Sequence, residues 1–244
     1  MFDDELFSQV LDFLERHKLV DRYIVPEKVV LNPPITNPSK IVALGLNYAS
    51  HAEESGREAP EEPVIFCKAP SAIIGPEDKV EIDPEIGRVD PEVEMAVIIK
   101  HKACNVSSAD ADKYIAGYTI LNDISARDMQ SADFEKRNPW FRSKSFDTFC
   151  PIGPCVVLPD EISSTEELNL EIKVNGEIRQ KSNTKYLIFK IPQLIEYISQ
   201  IITLEPGDII STGTPEGIAP IQPGDVMEAT VEKIGTLVNY VRSK

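Results

Sequence analysis

The run Asp90-Pro91-Glu92-Val93-Glu94-Met95-Ala96-Val97-Ile98-Ile99 concentrates carboxylates at the head of an apolar strand. Alternation sends Val93, Met95, Val97 and Ile99 to one face and Glu92, Glu94, Ala96 and Ile98 to the other. Both faces become apolar at the distal end, so a strand covered on both sides is expected. Two carboxylates on a face leading into a core repel each other and are costly to desolvate. A bound divalent cation resolves that conflict; so does an exposed strand start. Tyr118-Thr119-Ile120-Leu121-Asn122-Asp123 is a second apolar strand ending in an acid. Asp123 reads either as a cap for the following turn or as the third member of an all-oxygen trio with Glu92 and Glu94. Three carboxylates without His or Cys select a hard ion, Mg²⁺, Mn²⁺ or Ca²⁺, over zinc.

His51 and Glu54 stand at a helical same-face spacing that lets a carboxylate orient an imidazole. Such a pair can act as a general base on water. The polar run over 55–63, with Gly and Pro, suits a mobile lid or an ordinary surface loop. Arg127 and Gln130 share a face if 127–130 is a helical turn, and Arg127 could instead pair with Asp123 or Asp128. Lys144 lies among aromatics in Trp140-Phe141-Arg142-Ser143-Lys144-Ser145-Phe146, where burial competes with the usual solvated fate of lysine. Thr212-Gly213-Thr214-Pro215-Glu216-Gly217 follows a strand as a tight turn whose N–H groups suit a carboxylate or carbonyl oxygen.

The elements that must position these groups are mostly strands. Ile41–Leu44, Val64–Cys67, Val93–Ile99, Tyr118–Leu121, Val156–Leu158, Leu170–Val174, Ile209–Thr212 and Val226–Val231 are short apolar or β-branched runs bounded by turn residues. Asn175-Gly176 signals a two-residue hairpin, and Pro206-Gly207-Asp208 and Pro223-Gly224-Asp225 each introduce a strand. Two helices are predicted, over 2–17 and over 191–202 with Pro192 in its first turn. Strands outnumber helices without alternating with them, which disfavours a doubly wound parallel sheet. The Pro/Asn-rich stretch over 32–38 places a boundary between an N-terminal helical appendage, 1–38, and a main domain, 39–244.

The 244 residues carry 25 basic and 40 acidic side chains, a net charge of −15. Nucleic acid and anionic membrane both reward basic clusters, so neither is an expected partner. No apolar run approaches the ~20 residues of a membrane span, and the acidic start is unlike a basic targeting segment. Cysteines at 67, 104, 150 and 155 form no CxxC pair and read as free thiols in a reducing cytoplasm, with a Cys150–Cys155 bridge as the alternative. His101 and Cys104 make only half of a zinc spacing, and zinc is rejected.

Gly45-Leu46-Asn47-Tyr48-Ala49-Ser50-His51, Glu92-Val93-Glu94, Asn122-Asp123-Ile124-Ser125-Ala126-Arg127-Asp128, Ser143-Lys144-Ser145-Phe146 and Thr212-Gly213-Thr214-Pro215-Glu216-Gly217 occur in this order. The ordered set, over roughly residues 40–244, resembles the fumarylacetoacetate hydrolase family. Its shorter branch holds acylpyruvate hydrolases, oxaloacetate decarboxylases and 2-hydroxyhepta-2,4-diene-1,7-dioate isomerases. The resemblance implies a β-rich α+β fold whose mixed sheet rolls around a Mg²⁺ or Mn²⁺ ion held by Glu92, Glu94 and Asp123. It implies that Lys144 contacts substrate beside the ion, that Arg127, Gln130 and Thr214 bind substrate, and that His51 and Glu54 form a dyad on a lid. It also implies a homodimer. Many members carry Arg after the first Gly of Gly-x-Asn-Tyr; Leu46 here leaves the accepted acyl tail open.

The function expected on this basis is hydrolysis of a C–C bond in an acylpyruvate, a small 2-oxo acid, through an enolate stabilised by the ion. The same site without water attack would give isomerisation of a dienedioate or decarboxylation of oxaloacetate. A non-catalytic β-domain holding Ca²⁺ is the remaining alternative.

Overall fold

The computed structural model describes residues 29–244 together with Ser8, Gln9, Asp12, Phe13 and Arg16. Those five are helical, while the rest of the helix expected over 2–17, and most of the appendage over 1–38, lies outside the described residues. From Ile41 the chain forms strand β1 (Ile41–Gly45), helix α1 (Ala49–Glu54), and strands β2 (Val64–Lys68), β3 (Ile73–Ile74), β4 (Lys79–Ile82) and β5 (Val89–Asp90). Next come β6 (Val93–Ile99), β7 (Ile115–Asn122), β8 (Ser125–Ala126), and helices α2 (Arg127–Glu135) and α3 (Phe141–Lys144). The chain continues through β9 (Cys150–Val157), β10 (Asn169–Val174), β11 (Glu177–Asn183), helix α4 (Ile191–Ile201), β12 (Ile209–Ser211), β13 (Val226–Val231) and β14 (Gly235–Ser243).

These strands make a β-rich α+β fold. A mixed seven-stranded sheet runs in the order β2-β1-β12-β6-β7-β9-β3, parallel at β1/β12 and β3/β9. A five-stranded sheet, β11-β10-β13-β14-β4, is antiparallel except at β14/β4, and β5 pairs with β8. The larger apolar core joins one face of the seven-stranded sheet to the five-stranded sheet and to α4. Val93, Met95, Val97 and Ile99 enter that core, whereas Ala96 and Ile98 enter a second one on the opposite face. Strand β6 is therefore covered on both sides, as its alternation requires.

Turn chemistry fixes the smaller sheet. Asn175 and Gly176 have φ of 53° and 80°, the left-handed pair that a tight hairpin between β10 and β11 demands. Asp208 and Asp225 each accept the N–H of the residue three before them, closing the Pro-Gly-Asp turns ahead of β12 and β13. Two expected strands differ in extent. β7 begins at Ile115, three residues earlier than expected, after a register shift against Ile98 and Ile99. β9 runs over 150–157 instead of 156–158, hidden in the sequence because Pro151 and Pro154 remove ladder donors. Cys150 and Cys155 lie on this one strand as free thiols, buried and exposed respectively, so the alternative bridge is not formed.

Candidate active site

The pairing of β6 with β7 brings the carboxylates together. Val93 lies opposite Asn122, and just beyond the pair the Asp123 N–H donates to the Glu92 carbonyl at 2.8 Å. The Asn122 amide oxygen accepts the Glu92 N–H at 2.9 Å, fixing the strand entry. Glu92, Glu94 and Asp123 are 3%, 1% and 0% exposed, so neither an exposed strand start nor a solvated cap describes them. Each offers an oxygen, all within 4.8 Å of one another.

Cations are built into the same cluster. Lys144, at the end of α3, is buried, and its Nζ donates to Glu92 Oε2 at 2.7 Å and to Asp123 Oδ2 at 2.5 Å. Lys68, at the end of β2, donates to Asp123 Oδ1 and to the Lys144 carbonyl, both at 2.5 Å. Arg127 donates to Asp90 at 2.7 Å, to Gln130 at 2.5 Å, and to Glu92. Its carboxylate partners are Asp90 and Glu92, not Asp123 or Asp128; Asp128 instead caps the Arg88 N–H at 2.9 Å. Arg127 and Gln130 do share the first turn of α2.

The electrostatic consequence divides the two glutamates. Burial opposes the ionisation of Glu92, but the Lys144 and Arg127 cations outweigh it and hold its carboxyl far below the usual range. Glu94 has only neutral donors, the Ser211 hydroxyl at 2.5 Å and the Gly213 N–H at 2.8 Å. Burial, then Asp123 and Glu92, push it up to about 8 against the Ser211 hydrogen bond. A buried all-oxygen set whose third carboxylate has no cation of its own fits a hard divalent ion.

His51 sits on α1, its Nδ1 3.3 Å from Glu54 Oε2. Glu54 Oε1 accepts the Gly217 N–H at 3.0 Å, and Ser50 donates to Glu216, so α1 is tied to the turn after β12. Two N–H groups of that turn, those of Gly213 and Gly217, are thus taken by the protein's own Glu94 and Glu54. Gly213 has φ of 95°, and a Cβ there would lie 2.8 Å from that of Asn47, so glycine is required. Thr214 Oγ1 donates to the Val93 carbonyl at 3.0 Å and accepts from Gln180 Nε2 at 2.9 Å. A cleft with a cavity volume of about 50 Å³ is lined by His51, Glu92, Glu94, Arg127, Gln130, Lys144 and Thr214, together with Leu46, Arg57, Phe66 and Trp140.

Residues 40–242 match the family described as Fumarylacetoacetate (FAA) hydrolase C-terminal. The chain belongs to the fumarylacetoacetate hydrolase family. It is 39% identical over 258 residues to the mitochondrial oxaloacetate tautomerase of Rattus norvegicus, covering 98% of this chain and 82% of that one. The structure of the 5-carboxymethyl-2-hydroxymuconate delta-isomerase of Mycobacterium smegmatis superposes with a TM-score of 0.80 at 46% identity, over 88% of this chain and 82% of that one. The maleylpyruvate hydrolase of Sphingobium sp. SYK-6, solved with manganese (II) ion and pyruvate, gives a TM-score of 0.82 at 32% identity, over 97% and 83% of the two chains.

In this family member the cleft brings together seven of the nine residues singled out from the sequence as lining groups; Asp123 lies behind them on Lys144 and Glu54 behind His51. The sequence reading missed Lys68, Asp90, Ser211 and Gln180. Lys68 closes an apolar strand, where a lysine normally marks the solvated end. Asp90 carried a signal, being part of the acidic run, yet its role as the shared acceptor of Arg88 and Arg127 depends on the β5/β8 pairing. Gln180 bonds the Val93 N–H at 2.9 Å from the other sheet, a contact that local pattern does not encode.

Proposed function

We propose that the chain is a divalent-metal-dependent enzyme acting on small 2-oxo acids, and that it hydrolyses the C–C bond of an acylpyruvate to pyruvate and a carboxylic acid. The observation that carries this reading is the buried convergence of Glu92, Glu94 and Asp123 at a cleft that His51, backed by Glu54, also lines. These three carboxylates would hold Mg²⁺ or Mn²⁺, which when bound supplies a Lewis acid for the 2-oxo carboxylate end of the substrate.

The protein's own groups supply the rest. A carboxylate on His51 Nδ1 selects the tautomer whose Nε2 is free to take a proton from water. The resulting hydroxide attacks the distal carbonyl carbon, the C–C bond breaks, and its electron pair passes to C3 of the pyruvyl fragment. His51 then returns the proton to that carbon. Burial lowers the Lys144 pKa, but Asp123 and Glu92 raise it by more, so the ammonium stays charged and adds positive potential beside the 2-oxo acid. Gln130 holds Arg127 in place, and Gln180 and the Val93 carbonyl fix the Thr214 hydroxyl at the cleft wall.

A second reading, keto–enol tautomerisation of oxaloacetate, is favoured by the near full-length likeness to the rat tautomerase. It needs the same carboxylates and a proton carrier, with no water attack. A panel of acylpyruvates, oxaloacetate and dienedioates, assayed with Mn²⁺, with Mg²⁺ and with chelator, tests both. Turnover of an acylpyruvate, lost with chelator and in Glu94→Gln, is the expected result. Oxaloacetate tautomerisation alone would select the second reading, and inertness to the whole panel would leave a non-catalytic cation-holding domain.

A further inference from the structure

One cation of the cleft has no acid to balance it. Lys144 lies on Glu92 and Asp123, and Arg127 on Asp90 and Glu92. Arg57, three residues beyond Glu54 on the loop after α1, lines the same cleft with no carboxylate partner among the described residues. The chain has 40 acidic side chains against 25 basic ones, so an unmatched, half-buried guanidinium is not for want of acids. Leaving such a group unpaired in a partly desolvated cleft is unfavourable unless an anion comes to it.

The guanidinium is also held in position. Its Cζ lies 3.7 Å over the ring centroid of Phe134 and 5.3 Å from that of Trp140. Trp140 is itself fixed, edge-on to Phe66 at 5.7 Å and seated on Gly45, where a Cβ would come within 2.6 Å of its ring. A guanidinium stacked on aromatic faces keeps its N–H donors in the ring-parallel plane, where they match a carboxylate bidentately. The cleft therefore has two poles, the carboxylate cluster and an aromatic-backed arginine.

We propose that Arg57 is a specificity-determining residue of the cleft, pairing with a carboxylate at the far end of the substrate. This rests on the 2-oxo acid reading above and narrows it: a neutral acyl tail would leave Arg57 unsatisfied. Trp140 is the single tryptophan of the chain, so its fluorescence reports occupancy of this pole directly.

The test compares succinylpyruvate, an acylpyruvate whose acyl tail ends in a carboxylate, with the methyl ester of that distal carboxylate. Full-length wild type, Arg57→Gln and Arg57→Lys are measured with Mn²⁺ by steady-state kinetics and by Trp140 quenching. In wild type the diacid is expected to have a kcat/KM and an affinity roughly 10- to 100-fold above the ester, the range of a charge-assisted pair. Arg57→Gln should bring that ratio towards 1 mainly through the KM of the diacid, and Arg57→Lys should restore part of it as a point charge without the fork. An unchanged diacid-to-ester ratio in Arg57→Gln, with wild type active, overturns the Arg57 assignment alone. Wild type that neither binds nor turns over either compound, nor oxaloacetate, overturns the 2-oxo acid reading and this inference with it.

Discussion

Lys68 shows how much the site depends on a residue that never faces the cleft. Its ammonium donates to Asp123, to the Lys144 carbonyl at 2.5 Å and to the Ile124 carbonyl at 3.3 Å. It thereby fixes one carboxylate of the cluster and the backbone that aims Lys144. Methionine at this position keeps the stem but removes the charge, taking this donor from Asp123 Oδ1 and from two buried carbonyls. Breaking a buried ion pair from one side costs roughly 3–5 kcal/mol, partly offset here because Lys144 still serves Asp123 Oδ2. Lys68→Met is therefore expected to lower the urea midpoint clearly while Lys40→Met, at a more exposed pair, lowers it less. Equal midpoints for Lys68→Met and wild type would make Lys68 a bystander.

At the scale of elements, β6 was legible because its two-faced alternation is a local property, and the Asn175-Gly176 hairpin because a left-handed pair restricts residue choice. β9 was only partly legible, since prolines disguise a strand whose pairing with β7 shifts register. The site followed the same division. Glu92 and Glu94 announce themselves by spacing, whereas Ser211 reaches Glu94 through the β12/β6 pairing and Gln180 reaches the Val93 N–H from the other sheet. α1 is six residues long, too short to be stable alone, and it is anchored by its ties to Glu216 and Gly217. It carries His51 on its buried face. If His51 takes the proton from water, His51→Ala should lose acylpyruvate hydrolysis by something like 10²–10⁴-fold. Decarboxylation of oxaloacetate needs no base on water and should fall far less, while Lys144→Ala should damage both. The ratio of the two rates in each variant is the measurement, and a wild-type hydrolysis rate in His51→Ala would remove the dyad from the mechanism.

For the whole molecule, the carboxylate cluster is a junction between distant segments. Its members and their partners come from β2, the entry of β6, the end of β7, α3 and the turn after β12, so unfolding must disperse them all. A divalent ion bound there stabilises the global fold by mass action, about 2.7 kcal/mol at a hundredfold excess over Kd. For a chain of this size that corresponds to a Tm increase of roughly 5–10 °C. The increase should depend on pH with a definite sign. Glu94 ionises at about 8 in the folded protein, against an ordinary value of 4.5. Between those values the folded state holds a proton that the unfolded state has released, so without metal this group's contribution to stability falls as pH rises. Metal binding expels that proton, so below pH 8 the apparent affinity should rise about tenfold per pH unit. Calorimetric Tm with Mn²⁺ at fixed concentration and with chelator, at pH 6, 7 and 8, measures the difference directly. The Mn²⁺-dependent increase should be larger at pH 8 than at pH 6 and should vanish in Glu94→Gln. An increase that is the same at pH 6 and 8, or that persists in Glu94→Gln, would place the ion elsewhere and detach Glu94 from it.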